Sequence, residues 1–263
     1  MLDFYKYHGA GNDFILIDNR NRKWSHDDIS LFKAMCDRHL GIGADGLMLL
    51  ESSSDYDFEM FYVNSDGKPS SMCGNGGRCI VSFAHSLGLI ENEARFLAID
   101  GVHHAKITGK DWVSLEMVKP GPIHFKDGYA LVNTGSPHLV KIVHNLDTMD
   151  VYSQGKEIRY SYDFKEEGVN VNFVEMVSAR EAKVRTYERG VENETLSCGT
   201  GVTAVALVMG AIDKEIGDLE KTLYTPGGIL KVNYHREEGG TIREIILEGP
   251  TQFVFQGNYQ YQG

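Results

Sequence analysis

Two Cys-Gly-x-Gly runs stand out as chemistry: Cys73-Gly74-Asn75-Gly76 and Cys198-Gly199-Thr200-Gly201, 125 positions apart in a chain of 263 residues. Each follows a strand-like run and opens an apolar stretch with helical spacing. A helix N-terminus carries about half a positive charge and unpaired N–H groups. A cysteine there is biased toward the thiolate, below its free value of ~8.5. The glycine after the sulfur lets a ligand approach the backbone closely, and the free amides can hold a carboxylate. A matched pair of such thiols can invert a carbon acid. One, as thiolate, removes an α-proton from one face; the other, as thiol, delivers a proton to the opposite face. This inversion needs no pyridoxal phosphate, whose lysine site nothing in the chain suggests, so no cofactor is expected.

Cys36 and Cys79 read differently. Cys36 lies on an apolar helical face and Cys79 sits six residues past Cys73, so core packing is expected for both. No paired CxxC knuckle exists and the histidines are scattered, so no metal site is expected. The Gly-x-Gly of His8–Phe14 (HGAGNDF) runs into Phe14-Ile15-Leu16-Ile17, a strand and not a helix, which argues against a dinucleotide site. No nucleotide P-loop run is present.

The elements that must position the thiols can be sketched from periodicity. Tyr56–Asn64, Ala182–Glu188 and Arg243–Leu247 alternate as strands. Ser25–His39 reads as a helix capped by Ser25, with Asp28 at the capping-box position, Ile29, Phe32 and Cys36 on one face, and Gly41 past its end. Gly76–Leu87 is a second helix, with Ile80, Phe83, Ala84 and Leu87 on one stripe. Gly201–Ile212 is a third, apolar nearly all round and therefore buried. The remainder reads as strands and turns, giving an α/β (α+β) class rich in sheet.

The chain also repeats itself. Gly11-Asn12 resembles Gly135-Ser136, Gly41-Ile42 resembles Gly168-Val169, and the cysteine runs form the third pair. Asn12 to Cys73 is 61 positions and Ser136 to Cys198 is 62; Gly41 to Cys73 is 32 and Gly168 to Cys198 is 30. Nearly equal spacing predicts two related halves. The break is expected near Lys119-Pro120-Gly121-Pro122, giving halves 1–118 and 119–251.

The formal charge of −11 argues against nucleic-acid or anionic-membrane partners, because phosphate contact needs a basic surface. The N-terminal run MLDFYKYHGAGNDF has no apolar h-region, so no signal peptide is expected, and no run of ~18 apolar residues predicts a membrane span. Four cysteines do not make a disulfide scaffold. A reducing cytoplasm is the expected location. A homodimer is compatible with the chain.

These motifs resemble the diaminopimelate epimerase family. The likeness runs through HGAGNDF (His8–Phe14), GIGADG (Gly41–Gly46), NSDGKPSSMCGNGGRC (Asn64–Cys79), GSPH (Gly135–His138), GVNVNF (Gly168–Phe173), ERGVENETLSCGTG (Glu188–Gly201) and EGP (Glu248–Pro250). The resemblance implies two pseudo-symmetric halves, each a curled, mostly antiparallel sheet around a central helix, with the active site between them. It also implies that the last strand, from about Gln252 to 263, returns to the first half. It makes Cys73 and Cys198 the acid/base pair, and gives the amides of Gly74, Asn75, Gly199 and Thr200 to the carboxylate at the reacting carbon. His138 and Glu188 would tune the sulfurs, with Glu188 also accepting from the substrate ammonium. Arg189, helped by Asn64 and Asn170, would grip the distal carboxylate, and Asn12 is a further contact. The implied partner is a small diamino-dicarboxylate. The chain departs from the pattern at Ser136, where many members carry Asn, and at Gly46, where some carry Gln; its second cysteine loop is one residue longer than the common form.

Within the same fold, a proline or hydroxyproline epimerase is the alternative; those enzymes carry His after the first Cys-Gly, where this chain has Asn75. From another class comes a thiol redox protein, although such proteins favour CxxC or a nearby resolving cysteine.

Overall fold

Phe14, Ile15, Leu16 and Ile17 are all buried, which a strand achieves only when both of its faces are covered. They form the centre of β2 (Asn12–Asp18), and the equally buried β3 (Gly46–Glu51) runs parallel to it. The structure, a computed structural model, describes residues 1–69 and 72–261. Ser70 and Ser71 of the first cysteine motif lie outside the described residues.

The chain divides into two compact units, Met1–Leu115 with Gly249–Gly263, and Glu116–Glu248. The first unit also contains β1 (Leu2–Gly9), β4 (Phe58–Asn64), β5 (Glu93–Ala98), β6 (Gly101–Gly109), β7 (Trp112–Glu116) and, from the far end of the sequence, β17 (Gln252–Tyr259). The order across its sheet is β17-β1-β2-β3-β4-β5-β6-β7. Successive pairings are antiparallel, antiparallel, parallel, antiparallel, parallel, antiparallel and antiparallel. Helix α2 (Gly74–Ser86) packs on β1, β2, β3 and β6, so the sheet wraps around it. Helix α1 (Ile29–Cys36) covers the other face of β2 and β3, where Leu31, Phe32 and Met35 meet Ile15, Ile17, Leu47 and Leu49.

The second unit comprises β8 (His124–Lys126), β9 (Tyr129–Asn133), β10 (Pro137–Ile142), β11 (Asn170–Met176), β12 (Glu181–Glu188), β13 (Asn193–Thr195), β14 (Gly217–Thr225), β15 (Gly228–Arg236) and β16 (Ile242–Pro250). Its main order is β8-β9-β10-β11-β12-β14-β15-β16, with β13 added beside β12. Its pairings follow the same sequence of antiparallel and parallel as the first unit. Helix α3 (Val151–Arg159) takes the place of α1 between β10 and β11. Helix α4 (Gly199–Ile212), like α2, is buried by the strands around it. The repeat expected from spacing is thus a repeat of topology, with β17 in the position that β8 holds in the other unit.

Three local expectations are adjusted. The first helix covers only Ile29–Cys36. Asp28 does accept from the Ser25 N–H at 2.9 Å, but the Asp28 N–H bonds Ser25 O at 3.1 Å, closing a turn ahead of the helix. At the other end the Asp37 carboxylate accepts from the amides of His39 and Leu40 at 2.8 and 2.7 Å, drawing the backbone out of helical geometry. Ile29, expected on the apolar face, is exposed, and Leu31 is buried instead. The cysteine helices both start two residues earlier than their periodicity suggested, at Gly74 and Gly199, so each cysteine is the capping residue itself. Helix α3 was not expected at all. Its run VYSQGKEIR has a weak apolar stripe and a glycine, yet Asp150 caps it by accepting from the Ser153 N–H at 3.0 Å. Gly155 is needed because a Cβ there would lie 2.3 Å from Cβ of Tyr187.

Candidate active site

In the first unit Cys73 precedes α2 with an extended backbone (φ −106°, ψ 123°), so the first amides of the helix point out of its N-terminal end. Its thiol donates to Oδ1 of Asn12, 3.5 Å away at the start of β2. The same Oδ1 accepts from Nδ2 of Asn75 at 3.3 Å, while Nδ2 of Asn12 donates to Asp45 at 2.6 Å. Asp45 and Asp13 are gripped by Arg38, and Lys6 reaches Asp13 at 2.6 Å. Burial pushes the Asp13 carboxyl up, but Arg38 and Lys6 outweigh it and hold the group below the usual range. This ionic base fixes the amide of Asn12, and so fixes an oxygen toward Cys73.

Arg78, one turn into α2, is fully buried. It donates to the carbonyl of Gly74 at 3.2 Å and to Oδ1 of Asn75 at 2.8 Å. Burial lowers its guanidinium to about 10, so it stays charged at neutral pH. Its Nε has no hydrogen-bond partner among the described residues. Glycines give the chain room here: a Cβ at Gly9 would come within 3.0 Å of the Asn75 carbonyl, and one at Gly76 within 2.9 Å of Met48.

Asn64 ends β4, exposed, directly across from Gly46. The phenol of Tyr62 donates to its Oδ1 at 3.0 Å, and the Tyr62 ring lies over Gly46, where a Cβ would be 2.5 Å from ring carbon Cε2. The space above residue 46 is therefore occupied by an aromatic side chain from the neighbouring strand.

In the second unit Cys198 caps α4 in the same extended geometry (φ −127°, ψ 111°) and is 7% exposed. Its sulfur lies 3.5 Å from Oγ1 of Thr200, which is 2.9 Å from Nε2 of His138. Nδ1 of His138 meets Nδ2 of Asn172 at 3.1 Å. His138 thus reaches the sulfur through a hydroxyl. Complete burial, with the charge of Arg189 as a smaller contribution, drops its imidazole to about 3, so it is neutral at physiological pH.

A second group forms beside it. Asn170 donates to Oγ of Ser136 at 2.8 Å and to the Pro137 carbonyl at 3.1 Å, and its Oδ1 accepts from the Arg189 N–H at 2.9 Å. The Arg189 guanidinium donates to the Glu167 carbonyl at 2.9 Å and to Ser136 at 3.5 Å. Ser136 is thus tied directly to both residues. The Glu188 carboxylate accepts from Thr195 at 2.9 Å.

Cys36 and Cys79 are buried; burial pushes the Cys36 thiol up to about 12 and raises that of Cys79 further. Among the described residues no cluster of His, Cys, Asp and Glu could hold a metal ion, and no helix is long and apolar enough to cross a membrane.

Of the expected residues, Asn12, Cys73 and Asn75 are joined in one unit. Cys198, Thr200 and His138 are joined in the other, as are Asn170 and Arg189. Arg78, Tyr62 and Asn172 were missed. Signals for two existed: Arg78 is a charge inside an apolar helix, and Asn172 lies two residues from Asn170, on the same strand face.

Two matching units, each a sheet wrapped around a helix that a cysteine caps, define a fold seen in other solved structures. It is shared with a phenazine biosynthesis protein of the PhzF family from Bacillus anthracis (TM-score 0.81, 13% identity, 99% of each chain). It is also shared with a hydroxyproline epimerase from Agrobacterium vitis (TM-score 0.69, 14% identity, 97% of this chain and 91% of that one). The family model described as diaminopimelate epimerase matches residues 4–122 and 130–254. The diaminopimelate epimerase of Flavobacterium psychrophilum is 48% identical over 97% of this chain and 99% of its own. That of Chlorobaculum tepidum is 43% identical over 95% and 98%. The chain belongs to the diaminopimelate epimerase family.

Proposed function

We propose that the chain interconverts LL- and meso-diaminopimelate by two-base proton transfer at the α-carbon, without a cofactor, in the cytoplasmic synthesis of lysine and peptidoglycan precursors. The observation that carries this reading is the equivalence of Cys73 and Cys198, each the capping residue of a buried helix at the same point of two matching units. One sulfur, as thiolate, takes the α-proton; the other, as thiol, supplies a proton to the opposite face; the reverse reaction exchanges their roles. The amides of Gly74 and Asn75, and those of Gly199 and Thr200, hold the carboxylate of the reacting centre at positive helix ends. That charge also favours the carbanionic transition state. The first unit supplies one thiol and the second supplies the other.

The substrate carries an amino group and a carboxylate at each end. Arg189, with Asn170 bound to its backbone, receives the distal carboxylate; a guanidinium fork suits this role because it can pair bidentately. Asn64 and Asn12 add amide contacts, and Glu188 accepts from the ammonium. His138 and Glu188 set the ionisation of the sulfurs. Neither nucleic acid nor membrane enters the reaction. These roles are assigned within one chain, and a homodimer is compatible with them.

The test follows LL- and meso-diaminopimelate in heavy water. The proposal expects deuterium to enter the α-carbon during interconversion and both Cys73→Ser and Cys198→Ser to abolish it. General acid–base groups contribute ~10²–10⁴-fold each. Near-normal two-way turnover in either variant, or uptake into proline in preference to diaminopimelate, overturns it.

A further inference from the structure

The two cysteine helices are equivalent, but what packs beneath them is not. In the first unit Phe14 and Met48 lie under the helix start; a Cβ at Gly76 would be 2.9 Å from Met48 and 3.5 Å from Phe14. The parallel ladders pair Phe14 with Gly46 and His138 with Asn170, so Phe14 corresponds to His138 and Met48 to Asn172. The second unit has thus placed two buried polar side chains where the first has two apolar ones. A Cβ at Gly201, the equivalent of Gly76, would be 2.4 Å from Oδ1 of Asn172. Buried polar groups cost stability unless they are fully bonded, and these are bonded in one direction.

We propose that Asn172 is a positioning residue which, through His138 and Thr200, presents a hydroxyl donor to Sγ of Cys198. The direction follows from donors and acceptors. Nδ2 of Asn172 donates to the carbonyl of Leu139 at 3.0 Å, and its Oδ1 accepts from Oγ1 of Thr186 at 2.9 Å. Turning the amide over would set two oxygens face to face at Leu139, so the orientation is fixed. The second Nδ2 hydrogen then points at Nδ1 of His138, 3.1 Å away, which must be the acceptor. A neutral imidazole that accepts at Nδ1 carries its proton on Nε2. Nε2–H donates to Oγ1 of Thr200 at 2.9 Å, leaving the threonine hydrogen free to point along the 3.5 Å line to sulfur. The Thr200 carbonyl is held separately by Thr134 Oγ1 at 2.8 Å, which anchors this turn of helix.

No proton is transferred along the chain. Its effect is to set one polarity: the threonine hydroxyl is an acceptor toward histidine and a donor toward sulfur, and a donor stabilises the thiolate over the thiol. Of the charged groups in this unit, Arg189 reaches His138 with its charge, and the Glu188 carboxylate accepts from Thr195. Neither interrupts the line from Asn172 to Cys198. The inference rests on reading Cys198 as an acid/base residue, but its test does not need turnover.

In Cys73→Ser protein, thiolate absorbance is titrated against pH, with Cys36 and Cys79 silent because burial keeps them protonated. Thr200→Val is expected to raise the Cys198 ionisation by about one pH unit, a ~tenfold loss of thiolate at a given pH, and Thr200→Ser to restore it. Asn172→Leu should raise it in the same direction with Thr200 intact. In otherwise unmodified protein, ¹⁵N spectra of labelled histidine should show His138 neutral with the proton on Nε2. A proton on Nδ1, an imidazolium at neutral pH, or a Cys198 titration unmoved by Thr200→Val overturns the relay. Loss of diaminopimelate turnover with this titration pattern intact would count against the proposed reaction and leave the relay standing.

Discussion

The guanidinium of Arg78 donates to the side-chain oxygen of Asn75 at 2.8 Å, and so turns the Asn75 amide hydrogens toward Oδ1 of Asn12, the atom that also receives the Cys73 thiol. A buried cation is therefore holding the orientation of an amide beside the first sulfur. The position five residues past the other cysteine is Thr203, which meets the equivalent carbonyl, Gly199, at 2.9 Å with a neutral hydroxyl. The carbonyl contact is shared by both units; the charge belongs to the first.

Arg78→Met separates these roles. Removing this buried charge relieves its desolvation cost, while the Gly74 carbonyl and Oδ1 of Asn75 lose a donor, so the two effects on stability oppose each other. Losing a charged hydrogen bond that orients an active-site amide costs about 1.5–3 kcal/mol, or ~10–100-fold. The variant is expected to lose that much kcat/KM while its urea midpoint moves little. Retained activity with a large fall in the midpoint would instead make Arg78 a packing residue.

Tyr62 and Gly46 lead to a prediction about recognition. The phenol fixes Oδ1 of Asn64, leaving the Asn64 amide hydrogens to serve as donors, the polarity a carboxylate needs. Tyr62→Phe should raise KM for diaminopimelate several-fold, the scale of one neutral hydrogen bond, with kcat nearly unchanged. Gly46→Ala should be worse, because its Cβ meets the Tyr62 ring at 2.5 Å and the Val63 carbonyl at 2.6 Å. Steady-state kinetics of the two variants decide the point: equal KM in Tyr62→Phe and wild type would remove the tyrosine from recognition.

The repeat and both cysteine-capped helix ends were legible in the sequence because they are written in short-range signals: a glycine after each cysteine, an apolar run after each glycine, and nearly equal spacing. Both helices proved buried over most of their length, which the apolar run from Val202 announced but the mixed run around Arg78 concealed. Helix α3 was hidden because its capping aspartate had no strong apolar stripe behind it. Arg78 and Tyr62 bond groups two to four positions away in the chain, whereas the contacts of Asn172 with His138 and Leu139 depend on strand register. Asn172 meets His138 only because β10 and β11 run parallel with His138 opposite Asn170. No local pattern encodes that pairing.

His138 makes stability depend on pH in a defined window. Its folded value, lowered by burial to about 3, lies below the ordinary 6.5, so between these values the unfolded chain binds more protons than the folded one. Stability from this group is fully present above pH 6.5 and is lost as pH falls toward 3. The slope is half its limiting ~1.4 kcal/mol per pH unit at pH 6.5 and approaches that limit below it, so about 1.6 kcal/mol should go between pH 6.5 and 5. Urea denaturation of wild type and His138→Gln at both pH values isolates the effect. The wild type should lose about that much more than the variant; parallel losses would mean that His138 is not held neutral.

The four cysteines should separate into two chemical classes under alkylation. Reactivity follows the thiolate, so burial that drives Cys36 to about 12 leaves it with only ~1 part in 10⁴ ionised at pH 8. Cys79, raised further in the same way, should react no faster. Cys73 is half-buried and Cys198 is 7% exposed, and both sit at helix ends that favour the anion. Iodoacetamide at pH 8, read by peptide mass spectrometry, is therefore expected to label Cys73 first and Cys198 more slowly, each in step with loss of epimerase activity. Cys36 and Cys79 should appear only after urea is added. Native labelling of either at a rate matching Cys73 would contradict the burial assigned to them. Labelling of Cys73 or Cys198 with activity preserved would remove that sulfur from the reaction.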